Sequence, residues 1–163
     1  MKSRTSIRMP LIAIFAFAVF ALSGDSQSTN ATPDEVFIRE VKAMAGTWRP
    51  VFTENNGVVA PEPALQNTLW IRDDRGNWAM QRGDAIVLRW SVKDIDATTE
   101  PRQIDIEIMD GQYQGIIYHG IYELDGDTLR ICFSLPDRPG RSTEFTARRG
   151  SVCALSVFER VKS

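Results

Sequence analysis

The stretch around Asp125-Gly126 constrains this chain more than any other. Two apolar-rich runs, residues 115–124 and 127–135, flank that dipeptide. Asp-Gly is the preferred filling of a two-residue type I′ turn, because both central residues there need φ > 0. The pattern therefore predicts an antiparallel hairpin. With Asp125 and Gly126 in the turn, Leu124 faces Asp127, Tyr122 faces Leu129, Gly120 faces Ile131 and Tyr118 faces Phe133. One face of that hairpin is aromatic and aliphatic throughout.

The same period of two recurs along the chain. Strands are expected at residues 48–53, 69–72, 78–82, 85–92, 102–109, 143–147 and 152–161. Pro50 suits a strand start or an edge, since it donates no hydrogen bond. Residues 74–77 and 82–84 supply tight turns. The cleanest alternation puts Ile104, Ile106 and Ile108 on a dry face and Asp105 and Glu107 on a wet one. A single helix precedes the strands. Pro33, Asp34 and Glu35 open it, Val36, Phe37, Val41 and Met44 follow at helical spacing, and Gly46 closes it as a C-cap. Eight or nine short strands with no helix between them exclude a parallel sheet. They predict an all-β antiparallel up-and-down barrel of about eight strands with a short N-terminal helix. A two-sheet sandwich is the alternative.

Ahead of this domain lies a secretory pattern. Lys2, Arg4 and Arg8 precede an unbroken apolar run at residues 11–22, and small and polar residues Ser23, Gly24 and Asp25 follow. The run is shorter than the roughly 20 apolar residues a membrane-spanning helix needs. The expectation is a signal peptide at 1–23, a disordered spacer at 24–33 and one domain at 34–163, placed in the periplasm or secreted. No membrane span remains after cleavage. Cleavage takes the 19 Lys and Arg to 16 against 21 Asp and Glu, a formal −5. That balance excludes nucleic acid as a partner, because neutralising phosphates takes clustered basic residues. The doublet Arg148-Arg149 reads as a solvated turn.

Two resemblances enter here. Gly46-Thr47-Trp48 follows the short helix at the start of the first strand, and Arg160 lies near the end of the last. This resembles the lipocalin pattern, which implies that Trp48 plugs the closed end of a barrel and Arg160 packs across its indole. The run Gly120-Ile121-Tyr122-Glu123-Leu124-Asp125-Gly126-Asp127-Thr128-Leu129-Arg130-Ile131-Cys132 and the segment Ser142-Thr143-Glu144-Phe145 resemble an uncharacterised family of exported domains found in planctomycete proteomes. That likeness implies a lipocalin-like fold and carries no activity or catalytic residue with it. The family pattern has a cysteine at the position of Cys132 only, so Cys153 is a departure.

Chemistry-bearing residues are few. His119 is the one histidine. In the expected register it lies across from Cys132, with Glu123 further along the same face. A metal site would use these three, and a thiol enzyme would use Cys132 as nucleophile and His119 as base. Three groups do not complete a tetrahedral zinc site, and an exported thiol is prone to oxidation, so neither metal, cofactor nor catalytic residue is assigned. A Cys132–Cys153 disulfide would contribute around 3 kcal/mol by chain entropy. It forms only if Ala154, Phe158 and Arg160 face inward; with Leu155 and Val157 inward the sulfurs diverge. Asp125-Gly126-Asp127 lacks the other ligands of a calcium loop. No nucleophile elbow, phosphate loop or zinc-protease motif is present.

Aromatics remain: Trp48, Trp70, Trp78, Trp90, Tyr118, Tyr122, Phe133 and Phe158. An eight-stranded barrel lined by such residues either packs solid or holds one small molecule. The leading expectation is a non-enzymatic binding domain for a small hydrophobic ligand at Trp90, Tyr118, Tyr122 and Phe133. The alternative is a cell-envelope protein-interaction or inhibitor module using the loops at 55–66 and 136–142.

Overall fold

The computed structural model of the chain describes residues 31–134, 140–151 and 153–162. The expected signal peptide, most of the spacer and much of the 136–142 loop lie outside the described residues.

Helix α1 (Pro33–Met44) begins in a capping box: the Thr32 side chain accepts from the Glu35 amide while the Glu35 carboxylate accepts from the Thr32 amide. Asp34 and Glu35 in the first turn and Lys42 in the last suit the helix dipole. Its buried side is Glu40, Val41 and Met44. Ala45, in extended conformation, is the C-cap rather than Gly46. Gly46 instead opens the first strand with φ 130°, and a Cβ there would stand 2.9 Å from Arg160 Nη1. Glycine is needed at this close approach.

Nine strands follow in one antiparallel sheet: β1 (Gly46–Asn55), β2 (Val58–Val59), β3 (Thr68–Arg72), β4 (Asn77–Arg82), β5 (Ala85–Asp96), β6 (Arg102–Ile108), β7 (Ile117–Asp125), β8 (Thr128–Ser134) and β9 (Cys153–Arg160). Successive strands pair from β3 to β9, and β9 pairs back onto β1. The result is a closed eight-strand barrel with β2 as one extra strand hairpinned onto β1. A short helix α2 (Glu62–Gln66) occupies what the sequence suggested was plain loop. Bulges at Val51 in β1 and at Val87 and Lys93 in β5 add local twist to the closing sheet.

The β7–β8 register differs from the expected one. Asp125 pairs with Thr128, Tyr122 with Ile131 and Gly120 with Phe133. The turn is therefore Gly126-Asp127, with positive φ at Gly126 and not at Asp127. Glycine in the first central position is the type II′ arrangement, which Gly-Asp fills as readily as Asp-Gly fills type I′. A shift of two residues preserves the faces, so Tyr122, Leu124, Leu129, Ile131 and Phe133 still share the interior side. Gly120 now sits under the Phe133 ring. A Cβ at Gly120 would meet Phe133 Cδ1 at 2.5 Å and Cε1 at 2.8 Å. Gly120→Ala is expected to lower stability by about 1–3 kcal/mol through overpacking, read from the urea midpoint; an unchanged midpoint would contradict this register.

Strand parity in β9 is also fixed. Phe158 belongs to the interior core, whereas Leu155 packs outside with Ile121, Cys132, Ala147 and Cys153. Cys132 and Cys153 thus lie on one side and are joined by a disulfide, Cα to Cα 5.6 Å. Residues 143–147 form no strand. They run irregularly over this outer patch, with Ala147 fully buried and Phe145 packed against it. The apolar residues that suggested a strand serve that covering role.

A candidate ligand site in the barrel

The barrel end under α1 is filled. Trp48 is fully buried, and its indole N–H donates to the Met44 carbonyl at 2.9 Å. The Arg160 guanidinium lies 4.1 Å from the Trp48 ring centroid. It donates to the carbonyls of Ala45 and Ala43 and pairs with Asp127. Glu40, also buried, accepts from the Tyr122 hydroxyl at 3.0 Å and from Arg102 at 3.2 Å. Burial and the Glu40 charge push the Tyr122 phenol well above the usual tyrosine range.

A second arginine occupies the same region. Arg72 is 2% exposed, and its guanidinium carbon lies 4.6 Å from the Trp78 ring, 4.7 Å from Phe158 and 5.5 Å from both Trp48 and Trp70. Its Nε, Nη1 and Nη2 are buried without a hydrogen-bond acceptor among the described residues. Burial, reinforced by the nearby Arg160 charge, pulls its pKa down to about 9, so it stays charged at neutral pH.

The other half of the barrel is not filled. A cavity of about 400 Å³ lies between Trp70, Trp90, Ile106, Tyr118, Phe133, Ser134, Ala154 and Ser156, with the exposed Asn55 and Tyr113 at its rim. Trp70 and Trp90 stack across its base with centroids 4.6 Å apart and 13° between planes. Phe158 meets Trp70 edge-on at 5.0 Å, and Trp78 meets Phe133 at 6.3 Å. The walls are apolar and aromatic, with a few hydroxyl and amide groups, which is the composition of a small-molecule pocket. Burial, and secondarily Tyr113, raise the Tyr118 phenol, keeping it a neutral donor.

Three of the expected ligand residues, Trp90, Tyr118 and Phe133, line this cavity. Tyr122 does not: it points to Glu40 at the helix-covered end. Trp70 stood among the candidate cavity aromatics but not among the four ligand residues; Asn55, Ser156 and Arg72 were not singled out from sequence. Their only signal was parity within β1, β3 and β9.

On the outer face the revised register separates His119 from Cys132, which faces Ile121. The His119 amide donates to Ser134 Oγ at 3.1 Å. Its Nδ1 stands 3.0 Å from Asp105, an ion-pair distance but off the direction of a hydrogen bond. Asp105 in turn binds Arg141 at 2.6 Å, and Arg141 also donates to the carbonyls of Ile104 and Gly120. This cluster fastens the segment from Arg141 onward to β6 and β7. Glu123 pairs with Arg130 instead. No group of three or more His, Cys, Asp or Glu side chains placed to share a metal ion occurs among the described residues. No helix among them is long and apolar enough to cross a membrane.

The molecule is thus an up-and-down β-barrel, closed at one end by a helix and an arginine-braced tryptophan, with an apolar cavity at the other. No family model matches the chain, and neither does any curated protein or solved structure.

Proposed function

We propose that this is an exported, non-enzymatic binding domain that holds one small hydrophobic molecule in the open half of its barrel. The cavity of about 400 Å³ beside stacked Trp70 and Trp90 carries the reading. Its volume sits at the small end of the range for ligand pockets, about 300–1,000 Å³. Apolar burial at roughly 25 cal/mol per Å² supplies the affinity. The working compartment is the periplasm or the exterior. The test is a titration with medium-chain amphiphiles followed by tryptophan fluorescence. Saturable quenching or enhancement that Phe133→Trp abolishes by filling the cavity supports the reading. A flat titration across the series overturns it.

A second reading, the cell-envelope interaction module, is favoured by Val58 and Val59, which are 70% and 54% exposed within the 55–66 segment. Envelope crosslinks lost in Val58→Asp would support it, and unchanged crosslinks would count against it.

A further inference from the structure

We infer that the ligand of the barrel carries an acidic head group, and that Arg72 is its counter-charge. The inference rests on the cavity being a binding site and adds the chemistry of what it takes. Two guanidiniums flank Trp48, and they differ in their partners. Arg160 meets backbone carbonyls and Asp127. Arg72 meets four aromatic rings and no acceptor among the described residues. Ring faces attract a cation, but they leave the five N–H donors of a guanidinium unsatisfied. A buried charge is ordinarily paired or bound to an ion. The unmet demand at Arg72 is for an anion with lone pairs, and a carboxylate matches the guanidinium fork in two parallel hydrogen bonds.

The position of Arg72 ties that demand to the cavity. Of the four rings around it, Trp70 also lines the cavity. Trp78, another of the four, packs against the cavity-lining Phe133. The guanidinium therefore lies one ring beneath the cavity floor. Rotation of Trp70 off the guanidinium joins the two, so that a chain rests among Trp90, Ile106, Tyr118 and Phe133 while its head group reaches Arg72. No charged side chain lines the cavity itself, where Asn55, Ser134 and Ser156 are uncharged, and Arg72 is the cation that reaches it through the shared Trp70 ring.

The test compares decanoate with 1-decanol, a neutral ligand of equal chain length, by calorimetry or fluorescence on the full domain at neutral pH. The expected result is decanoate binding at least about tenfold more tightly, a ratio that corresponds to about 1.4 kcal/mol. Arg72→Met should bind both alike and keep the affinity for 1-decanol, and Arg72→Lys should keep part of the preference. Equal binding of the two ligands by the unaltered protein overturns the inference while leaving the cavity reading intact. A preference for decanoate that survives Arg72→Met also overturns it. Failure of both ligands to bind overturns the cavity reading itself. The wild-type comparison needs no variant to fold.

Discussion

Trp48→Ala should lower the stability of the domain by about 3–5 kcal/mol, the range for removing a buried tryptophan. The side chain is fully buried at the closed end, so truncation leaves a cavity that the rigid barrel wall cannot collapse into. Several neighbouring interactions go with it. The indole N–H that anchors the Met44 carbonyl, and with it the C-terminus of α1, is removed. Arg160 loses the ring it covers at 4.1 Å, and Arg72 loses one of its four. Trp48→Phe keeps a ring but not the donor and should fall between the two. Urea unfolding followed by circular dichroism measures this; a loss under about 1 kcal/mol for Trp48→Ala would show that the floor does not depend on this plug.

Arg72→Met is expected to act in the opposite direction. It replaces an uncompensated buried cation by an apolar chain of similar length, a change that gains about 1–4 kcal/mol where buried charges have been exchanged for hydrophobic residues. The cation–π attraction, about 0.5–2 kcal/mol, disappears in the exchange and offsets part of that gain. The pH dependence identifies the cause. Below about pH 9 folded and unfolded chains both hold the Arg72 proton, so the burial penalty is constant. Above it the folded protein releases the proton while the unfolded chain keeps it. The unfolded state then binds more protons, and wild-type stability rises with pH relative to the variant. The advantage of Arg72→Met should accordingly be larger at pH 7 than at pH 10. A variant less stable than wild type at pH 7 would show that the aromatic cage alone satisfies the charge. Higher stability combined with lost acid binding would mark Arg72 as a residue kept for function against stability.

How far the sequence reached follows from where its periodicity was unambiguous. Ile104, Ile106 and Ile108 alternate with Asp105 and Glu107, and each falls on the face their pattern indicates. In β3 both parities are mixed: Trp70 and Arg72 share one face, Leu69 and Ile71 the other. Hydropathy alone would favour the second face as the interior, because a buried unpaired arginine is not something local pattern anticipates. The fold overrode it, since Trp70 stacks on Trp90 and the sheet brings Arg72 inward with it. The turn in the β7–β8 hairpin failed for a related reason. Asp-Gly and Gly-Asp both satisfy two-residue turns, and they differ by a shift that leaves every face unchanged, so hydrophobic pattern cannot choose between them. That shift decided the neighbours of His119 and Cys132 across the hairpin, whereas the outer cluster of His119, Asp105 and Arg141 arises from the β6–β7 pairing and the loop that follows β8, neither of which local pattern registers. Residues 143–147 showed apolar character without showing what it covered, and a short run against the outside of a barrel looks the same as a strand.

The open half of the barrel is the proposed binding site, and the four tryptophans of the chain report on it directly. The most direct measurement is the set of indole N–H resonances during a decanoate titration of isotope-labelled protein. Trp70 and Trp90 line the cavity, whereas Trp48 lies buried at the helix-covered end. Saturable shifts at Trp70 and Trp90 that exceed any at Trp48 are expected if the cavity takes the ligand. Resonances of Trp70 and Trp90 that stay fixed throughout, in a protein that remains folded, would contradict it.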